Sequence, residues 1–186
     1  MKKLLWLWIL IGVVIIIGAM VISSYNGMVA TREAINGNWG EVQTQLQRRN
    51  DLIPNLVATV QGYAAHETEI FTAVAEARER MMRPMTPAEA SAAEAEMSGA
   101  LGRLLAITEA YPQLQANTNF LNLQDELAGT ENRIQRARSQ YNDSVQVFNV
   151  RIQRFPAVII ANMFGFGPMD YFEAAPGAET VPGVQF

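Results

Sequence analysis

The run His66-Glu67-Thr68-Glu69-Ile70 is the catalytic template nearest to completion in this 186-residue sequence. In the zinc-protease motif His-Glu-x-x-His, two histidines one helical turn apart bind Zn²⁺, and the glutamate acts as general base. Ile70 stands where the second histidine must be, and His66 is the only histidine in the chain. The zinc site cannot be completed, so we expect His66 to lie on a helix surface or at a helix interface.

The other catalytic templates fail as well. A Ser-His-Asp triad would also need His66 and lacks a glycine-flanked serine, and a di-iron site needs two Glu-x-x-His motifs. The chain has no cysteine, which excludes disulfides, thiol nucleophiles and Cys-based zinc sites. No glycine-rich loop stands between a strand and a helix to hold a phosphate. We therefore predict a protein that is not an enzyme and uses no metal or cofactor.

Two groups of polar residues remain, at or beside the apolar stripes of long helices. They are Arg48, Arg49, Asn50 and Asp51, which precede Pro54, and, later in the chain, Glu131, Asn132, Arg136, Arg138 and Asn142. One hypothesis makes these candidate residues a recognition surface for a partner. The other, which we favour, pairs them across helices to fix the register, as buried polar groups do in some coiled coils.

The charge balance argues against a nucleic-acid-binding protein. Fourteen basic residues stand against eighteen acidic ones, which gives a net charge of −4. Lys2 and Lys3 are the only lysines, so the rest of the chain carries twelve arginines against eighteen acids. A body this acidic lacks the basic surface that nucleic-acid binding usually shows.

The segment from Leu4 to Ile22 has no charged or strongly polar residue. Its length is close to the roughly 20 residues that cross a bilayer core as a helix. A cleaved signal peptide normally has a shorter apolar region, followed by a small-residue cleavage site that residues 20–25 do not offer. We therefore predict an uncleaved single-pass membrane anchor. Lys2 and Lys3 precede it, so the positive-inside rule places the N-terminus in the cytoplasm and the body outside.

A stripe of apolar residues with helical spacing follows the span. Its members are Ile35, Trp39, Val42, Leu46, Ile53, Leu56, Val60, Tyr63, Ile70, Val74 and Met81. The spacing predicts one long helical arm. Because the stripe keeps its phase across Pro54, we expect either a kinked continuous helix or two helices meeting end to end, with Asp51 capping the second. The expected kink or break lies between Arg49 and Asn55.

Further helices follow this arm. Thr86 as N-cap, Pro87 at the first helical position and Glu89 predict a capping box, and that helix stops near Tyr111-Pro112. Another long helix should begin near Asn117 or Asn119 and pack antiparallel to the first arm. Its inward residues are Phe120, Leu123, Leu127, Thr130, Ile134, Ala137, Tyr141, Val145, Phe148, Ile152 and Phe155. A short apolar segment, Ala157 to Phe164, is then closed by Gly165 and Gly167.

These patterns predict an all-α protein. We expect an N-terminal transmembrane helix followed by an elongated antiparallel bundle of three or four helices with coiled-coil-like seams. The expected division is an anchor over residues 1–24, a helical bundle over residues 25–165 and a Gly/Pro-rich tail over residues 166–186.

Several unusual runs resemble the LemA family of bacterial membrane proteins. They are Tyr25-Asn26, Trp39, QLQRRNDLIPNLVATVQGYAAHE from Gln45 to Glu67, YPQLQAN from Tyr111 to Asn117, Glu131-Asn132-Arg133-Ile134, Ala137-Arg138, Tyr141-Asn142, Phe148-Asn149, Phe155-Pro156 and Tyr171-Phe172-Glu173. The resemblance implies a single-pass protein of the bacterial cytoplasmic membrane with a helical-bundle body and no established catalytic activity. It also implies relatives in magnetosome membranes and others linked to membrane stress proteases.

We therefore expect a membrane-anchored, non-enzymatic helical scaffold of the bacterial cell envelope that self-associates and organises or shapes membrane. The alternative is an adaptor or regulator of a membrane protease or another envelope protein. The expected partners are the lipid bilayer, a second copy of the chain and, under the alternative, that envelope protein. Nucleic acid is not an expected partner.

Overall fold

The chain is mostly helical in the region that the structure describes. The structure is a computed structural model that describes residues 2–172, with side chains from residue 6 onward. Its helices are α1 (Lys2–Gln61), α2 (Thr68–Met81), α3 (Pro87–Ile107), α4 (Pro112–Gln115), α5 (Thr118–Gln153) and α6 (Ala157–Phe164), with a 3-10 turn at Thr108–Ala110. None of the described residues lies in a strand. The predicted all-α class is confirmed.

Helix α1 carries the apolar span and Pro54 in one uninterrupted stretch of 60 residues. The chain stays helical through Pro54, so the prediction of two helices meeting end to end there is wrong. A proline removes only one backbone donor from a helix, and the neighbouring Ile53 and Leu56 are both buried in the core. Their packing keeps the turns around Pro54 in place.

Asp51 is not an N-cap, which corrects a second expectation for this region. It lies inside α1, and its carboxylate accepts a hydrogen bond from Gln47 Nε2 at 2.8 Å. An N-cap side chain must accept from a backbone N–H at the start of a helix. Inside a continuous helix those N–H groups are already bonded, so the carboxylate turns to a side chain one turn earlier.

The helical arm ends at Gln61 and not at Met81, because residues 62–67 form a turn between α1 and α2. The N–H groups of Tyr63 and Ala64 both donate to Val60 O, at 3.0 and 2.9 Å, and close the end of α1. Gly62 lies where the helix stops, and glycine lowers helix stability by about 1 kcal/mol relative to alanine. The apolar stripe alone gave no sign of this turn, because its three-to-four spacing continues through it.

The starts of α3 and α5 and both ends of α6 agree with the sequence. Helix α3 ends at Ile107, before the 3-10 turn, and not near Tyr111-Pro112 as expected. Thr86 and Glu89 form the predicted capping box, with Pro87 as the first residue of α3. Helix α5 begins at Thr118, where Phe120 N donates to Asn117 Oδ1 at 3.0 Å. Helix α6 has the bounds of the predicted apolar segment, and Gly165 ends it with a φ of 73°, in the left-handed region that favours glycine.

The described residues form two compact units. We call residues 2–37 and 143–169 the span unit, and residues 38–142 and 170–172 the bundle unit. The predicted domain boundaries after residues 24 and 165 stay a prediction. The part of the predicted tail from Glu173 onward lies outside the described residues.

Within the bundle unit, α1 and α5 run antiparallel. Asn38 Nδ2 donates to Gln140 O at 3.3 Å near the start of this α1 segment. Asn117 Nδ2 donates to Tyr63 Oη at 3.0 Å just past its end. Contacts closer to the C-terminal end of α1 therefore involve residues closer to the N-terminal end of α5. This agrees with the predicted antiparallel packing of the two long helices.

Helices α2 and α3 complete the bundle as a helical hairpin joined by residues 82–86. An exposed ion pair between Arg80 Nε and Glu96 Oε2, at 2.8 Å, links the two helices. Each of the four helices buries an apolar stripe, which includes Val42, Leu56 and Val60 of α1, Val74 of α2, Met97 and Leu104 of α3, and Phe120 and Ile134 of α5. The hydrophobic effect of burying these stripes holds the bundle together.

Two residues of the predicted apolar stripes lie outside. Tyr63 follows the end of α1 and is 38% exposed. Phe155 was the last member of the apolar stripe of the third long helix, but α5 ends at Gln153 and the Phe155 side chain is 81% exposed. Because α5 ends two residues before Phe155, this side chain does not continue the apolar stripe of the helix. The prediction for Phe155 is therefore wrong.

Candidate functional site

Arg49 is the buried centre of the first polar group. Its side chain is 8% exposed, and Nη1 lies 2.8 Å from Glu94 Oε1 on α3. The same Nη1 lies 3.0 Å from Glu131 Oε2 on α5, an ion pair without hydrogen-bond alignment. Nη2 donates to Ser98 Oγ at 2.9 Å, and that hydroxyl donates to Glu94 Oε1 at 2.9 Å. One guanidinium thus connects α1, α3 and α5.

This arrangement fixes the register of three helices but leaves little free chemistry. The guanidinium faces two carboxylates, so no net positive charge remains to attract an anionic ligand. A buried charge without partners is costly, and breaking such a pair destabilises a fold more strongly than breaking an exposed one. A surface groove of about 470 Å³ lies beside the cluster, lined in part by Arg49, Ser98 and Glu131.

Asn50 and the exposed members of the first group have different surroundings. Asn50 is 1% exposed, and neither its Nδ2 nor its Oδ1 has a hydrogen-bond partner among the described residues. Arg48 is about half exposed, with Nη2 3.4 Å from Glu126 Oε2 on α5. Asp51 and Pro54 also lie at the surface. The four consecutive polar residues are therefore divided, two inside the bundle and two outside.

The second polar group is divided in the same way. Glu131 belongs to the Arg49 cluster, whereas Asn132 and Arg136 are exposed on α5, where Arg136 Nε donates to Asn132 O at 3.2 Å. Arg138 and Asn142 instead hold the segment that follows Met169. The structure therefore brings together only Arg49 and Glu131 from the two groups.

Phe172 is the residue that Arg138 and Asn142 hold. Asn142 Nδ2 donates to Phe172 O, and Phe172 N donates to Asn142 Oδ1, both at 2.9 Å. The Arg138 guanidinium lies 5.8 Å from the centre of the Phe172 ring, within reach of a cation-π interaction. Trp39 of α1 lies on the same ring, with a centroid distance of 6.2 Å.

Tyr141 adds a further bond to this segment. Its hydroxyl donates to Asp170 O at 2.8 Å while its ring lies 5.5 Å from the Trp39 ring. Burial of the ring raises the pKa of the Tyr141 hydroxyl above its usual value, and the nearby Asp170 charge raises it further. The hydroxyl therefore stays protonated and available as a donor at neutral pH.

Asn149 makes the same kind of contact within the span unit. Its Nδ2 donates to Met169 O at 2.9 Å, and Met169 N donates to its Oδ1 at 2.8 Å. Glu94, Ser98 and Asn149 were not among the predicted site residues. Asn149 follows an aromatic residue, as Asn142 does: the two pairs are Phe148-Asn149 and Tyr141-Asn142. This repeat in the sequence could have identified Asn149 as a candidate. Glu94 gave none, because nothing in an Ala- and Glu-rich helix distinguishes the acid that turns inward.

Residues 6–172 contain no assembled cluster of reactive groups. No set of three or more His, Asp or Glu side chains that could hold a metal ion is present in that range. His66 is exposed in the turn between α1 and α2. The arrangement supports helix pairing and attachment of the segment after α6.

The fold and the polar contacts define a class: a helical-bundle protein with one helix that could cross a membrane, by its length and composition. The sequence matches the LemA family over residues 38–186, and the chain belongs to that family. The family resemblance is thus confirmed.

Curated relatives support the same class. The chain is 27% identical to the magnetosome protein MamQ of Magnetospirillum gryphiswaldense, in an alignment that covers 84% of this chain and 67% of the relative. It is 26% identical to the magnetosome proteins MamQ 1 and MamQ 2 of Paramagnetospirillum magneticum, with 87% of this chain and 69% of each relative covered. With the apolar helix, these relatives identify the chain as a membrane-associated protein.

Proposed function

We propose that this protein is a membrane-anchored, non-enzymatic scaffold of the bacterial cell envelope that self-associates and organises membrane. One observation carries the proposal: α1 contains both the exposed apolar span and buried core residues of the bundle, without a linker between them. A helix of this kind ties the folded body directly to the bilayer. The buried Arg49 charge is balanced inside the bundle, which fits a structural role better than a catalytic one.

Helix α5 offers a surface for self-association. Val147 and Val150 lie on its outside, 60% and 40% exposed, within a helix whose exposed positions are mostly polar. Together with Arg151, Arg154 and Ala157 they line a shallow depression of about 430 Å³. Exposed apolar side chains on an otherwise polar surface are a common mark of protein interfaces.

Light scattering coupled to size exclusion, on full-length protein extracted in mild detergent, tests self-association. We expect a mass of at least two copies, and a strict monomer over a wide range of concentrations would overturn the proposal. Because the chain has no cysteine, a Val147→Cys protein gives disulfide-linked dimers only through this surface. Gln135→Cys, exposed on the same helix but outside this depression, is the matched control and should give far fewer.

The second candidate function is an adaptor for a membrane protease or another envelope protein. The observation that favours it is the exposure of Arg48, Asp51, Asn132 and Arg136, which leaves polar side chains of both candidate groups accessible on the bundle unit. Photocrosslinkers at Arg48 and Arg136 in living cells separate the two candidates. Products that contain another envelope protein favour the adaptor, and products that contain only this chain favour the scaffold.

The proposed orientation places the N-terminus in the cytoplasm and the body outside, because Lys2 and Lys3 precede the span. A single cysteine at the exposed Glu33 reports the side directly. Labelling of Glu33→Cys by a membrane-impermeant maleimide, in cells whose outer barrier has been opened, supports this orientation. Labelling only after lysis of the cytoplasmic membrane would reverse it.

A further inference from the structure

We infer that α6 and the turn before it form a second membrane contact, which lies in the leaflet beside the span and is covered by lipid acyl chains. The inference rests on membrane anchoring and not on self-association. It concerns an apolar surface within the span unit that is separate from Val147 and Val150 of α5.

The exposed face of α6 is a continuous apolar stripe. Phe155, Ile159 and Met163, spaced by four residues, are 81%, 57% and 63% exposed. Ala157–Phe164 contains no charged residue, and Asn162, its one polar residue, is exposed beside the stripe. The opposite face is buried through Ile160 and Ala161. In water this would be an unusually large apolar patch for so short a helix.

The position of α6 beside the span determines which medium covers that stripe. A groove of about 950 Å³ has one wall made of α1 residues between Ile16 and Ser24, and the other made of Phe155, Pro156 and Ile159 among others. Most of that α1 wall belongs to the predicted span, which ends at Ile22. From Ile16 to Ile22 a helix rises roughly 9 Å, so the groove extends well below the membrane surface.

The far end of α6 marks the level of the membrane interface. The Tyr25 ring, just past the span, lies 4.9 Å from the Phe164 ring and 5.6 Å from the Phe166 ring, centroid to centroid. Aromatic side chains are typical of the interfacial layer. With eight residues α6 is about 12 Å long, too short to cross the roughly 30 Å core, so it lies within one leaflet.

Backbone hydrogen bonds close both ends of α6, which suits an apolar medium. Val158 N donates to Arg154 O at 2.8 Å, and Phe166 N donates to Ala161 O at 2.9 Å through the left-handed Gly165. Bonds at both ends of a short helix reduce the number of unpaired polar groups, which is the main requirement for backbone in lipid. A surface loop in water has no such need.

The charges adjacent to α6 lie on the polar side. Arg151 donates from Nη1 to Gly27 O at 2.9 Å, past the end of the span. Arg154 is exposed and has no ion pair among the described residues. A long arginine side chain next to Phe155 can keep its guanidinium at lipid phosphates while its stem lies in the apolar layer.

Spin labelling tests the inference. The chain has no cysteine, so Ile159→Cys and Met163→Cys proteins each carry one nitroxide, and the full-length variants are placed one copy per nanodisc of phosphatidylcholine and phosphatidylglycerol. Collision with dissolved oxygen reports lipid, and collision with a water-soluble nickel chelate reports water. Val14→Cys within the span and Gln146→Cys on α5 are the lipid and water controls, since both positions are exposed.

We expect labels at Ile159 and Met163 to match Val14, with a ratio of oxygen to nickel collisions several-fold above that of Gln146. A ratio equal to that of Gln146 would place α6 in water and overturn the inference. Labels that neither reagent reaches would show that the stripe is packed against another part of this chain and would overturn the inference equally. Because each nanodisc holds one copy, failure of self-association does not alter this readout.

Discussion

Asn142 binds both the N–H and the C=O of Phe172, each at 2.9 Å, so a single side-chain amide replaces a backbone partner. Asn149, two helical turns further along α5, binds Met169 in the same way. An amide side chain presents one donor and one acceptor side by side, the same pair that an extended residue presents. The two asparagines therefore hold the chain after α6 through its backbone, whatever side chains that segment carries.

Replacing Asn142 by alanine is expected to release Phe172. Two buried or half-buried backbone groups would lose their partner, which costs about 1 to 3 kcal/mol. Chymotrypsin should then cut faster after Tyr171, which is 42% exposed and adjacent to the released residue. Asn132→Ala on the same helix, at an exposed position, is the control. Equal cleavage rates for the two variants would contradict a holding role for Asn142.

Replacing Arg49 by alanine should destabilise the bundle by about 3 to 5 kcal/mol, because Glu94 would keep a buried charge without its partner. Arg48→Ala removes a pair that is half exposed on both sides and should cost no more than about 1 kcal/mol. Chemical denaturation in mild detergent, followed by far-UV circular dichroism, measures both.

The double variant Arg49→Met, Glu94→Leu separates the cost of leaving Glu94 unpaired from the contribution of the other guanidinium contacts. Apolar residues of similar size often replace a buried ion pair at little cost. We expect the double variant to recover most of the stability lost by Arg49→Ala. If it stays as unstable as Arg49→Ala, the guanidinium contacts to Ser98 and Glu131 carry more of the stability than the pair with Glu94.

Replacing Pro54 by alanine should stabilise α1. Proline inside a helix costs about 3 kcal/mol, and alanine would restore an N–H for the carbonyl of Asn50. The gain is reduced by about 0.4 to 1 kcal/mol because alanine leaves the unfolded chain freer. Pro87→Ala is the control, since proline is well tolerated at the first position of α3. A loss of stability in Pro54→Ala would indicate that packing around α1 requires the proline.

The capping box of α3 should make stability depend on pH in the acid range. Hydrogen bonds from the Thr86 backbone and hydroxyl lower the pKa of Glu89 below its usual value. The folded state thus favours the carboxylate. The contribution is present above the unfolded pKa of the glutamate and is lost as the pH falls through the lower, folded value.

Thermal unfolding of wild-type protein and Glu89→Gln between pH 7 and pH 3 tests this sign. The difference in melting temperature should be largest near pH 7 and shrink as the pH falls. Glu33→Gln, at an exposed position of α1, should show no such trend. A difference that grows towards acid pH would reverse the assignment.

Helix ends with local chemistry could be predicted from the sequence, and helix ends set by tertiary contacts could not. Thr86, Pro87 and Gly165 act through their own backbone neighbours, so the start of α3 and the end of α6 followed directly. The turn after Gln61 was missed because the apolar spacing, which reflects tertiary packing, continues through it. Pro54 left two alternatives open, a kinked continuous helix and two helices meeting end to end, and the sequence alone did not decide between them.

The candidate residues show the same division. Arg49 and Glu131 could be named as polar residues near apolar stripes, yet Glu94 could not, because its helix carries several acids at similar positions. The exposure of Phe155 was missed because its spacing continues the apolar stripe, although α5 ends at Gln153.

The stripe of Phe155, Ile159 and Met163 has a practical consequence for producing the protein. Removing residues 1–24 is the usual route to a water-soluble fragment of a single-pass protein. Here such a fragment would keep the stripe and would also uncover the buried Ile160, which lines the same groove as Phe155 and Ile159. It should bind detergent or aggregate, and a soluble body requires polar residues in α6 as well as removal of the span.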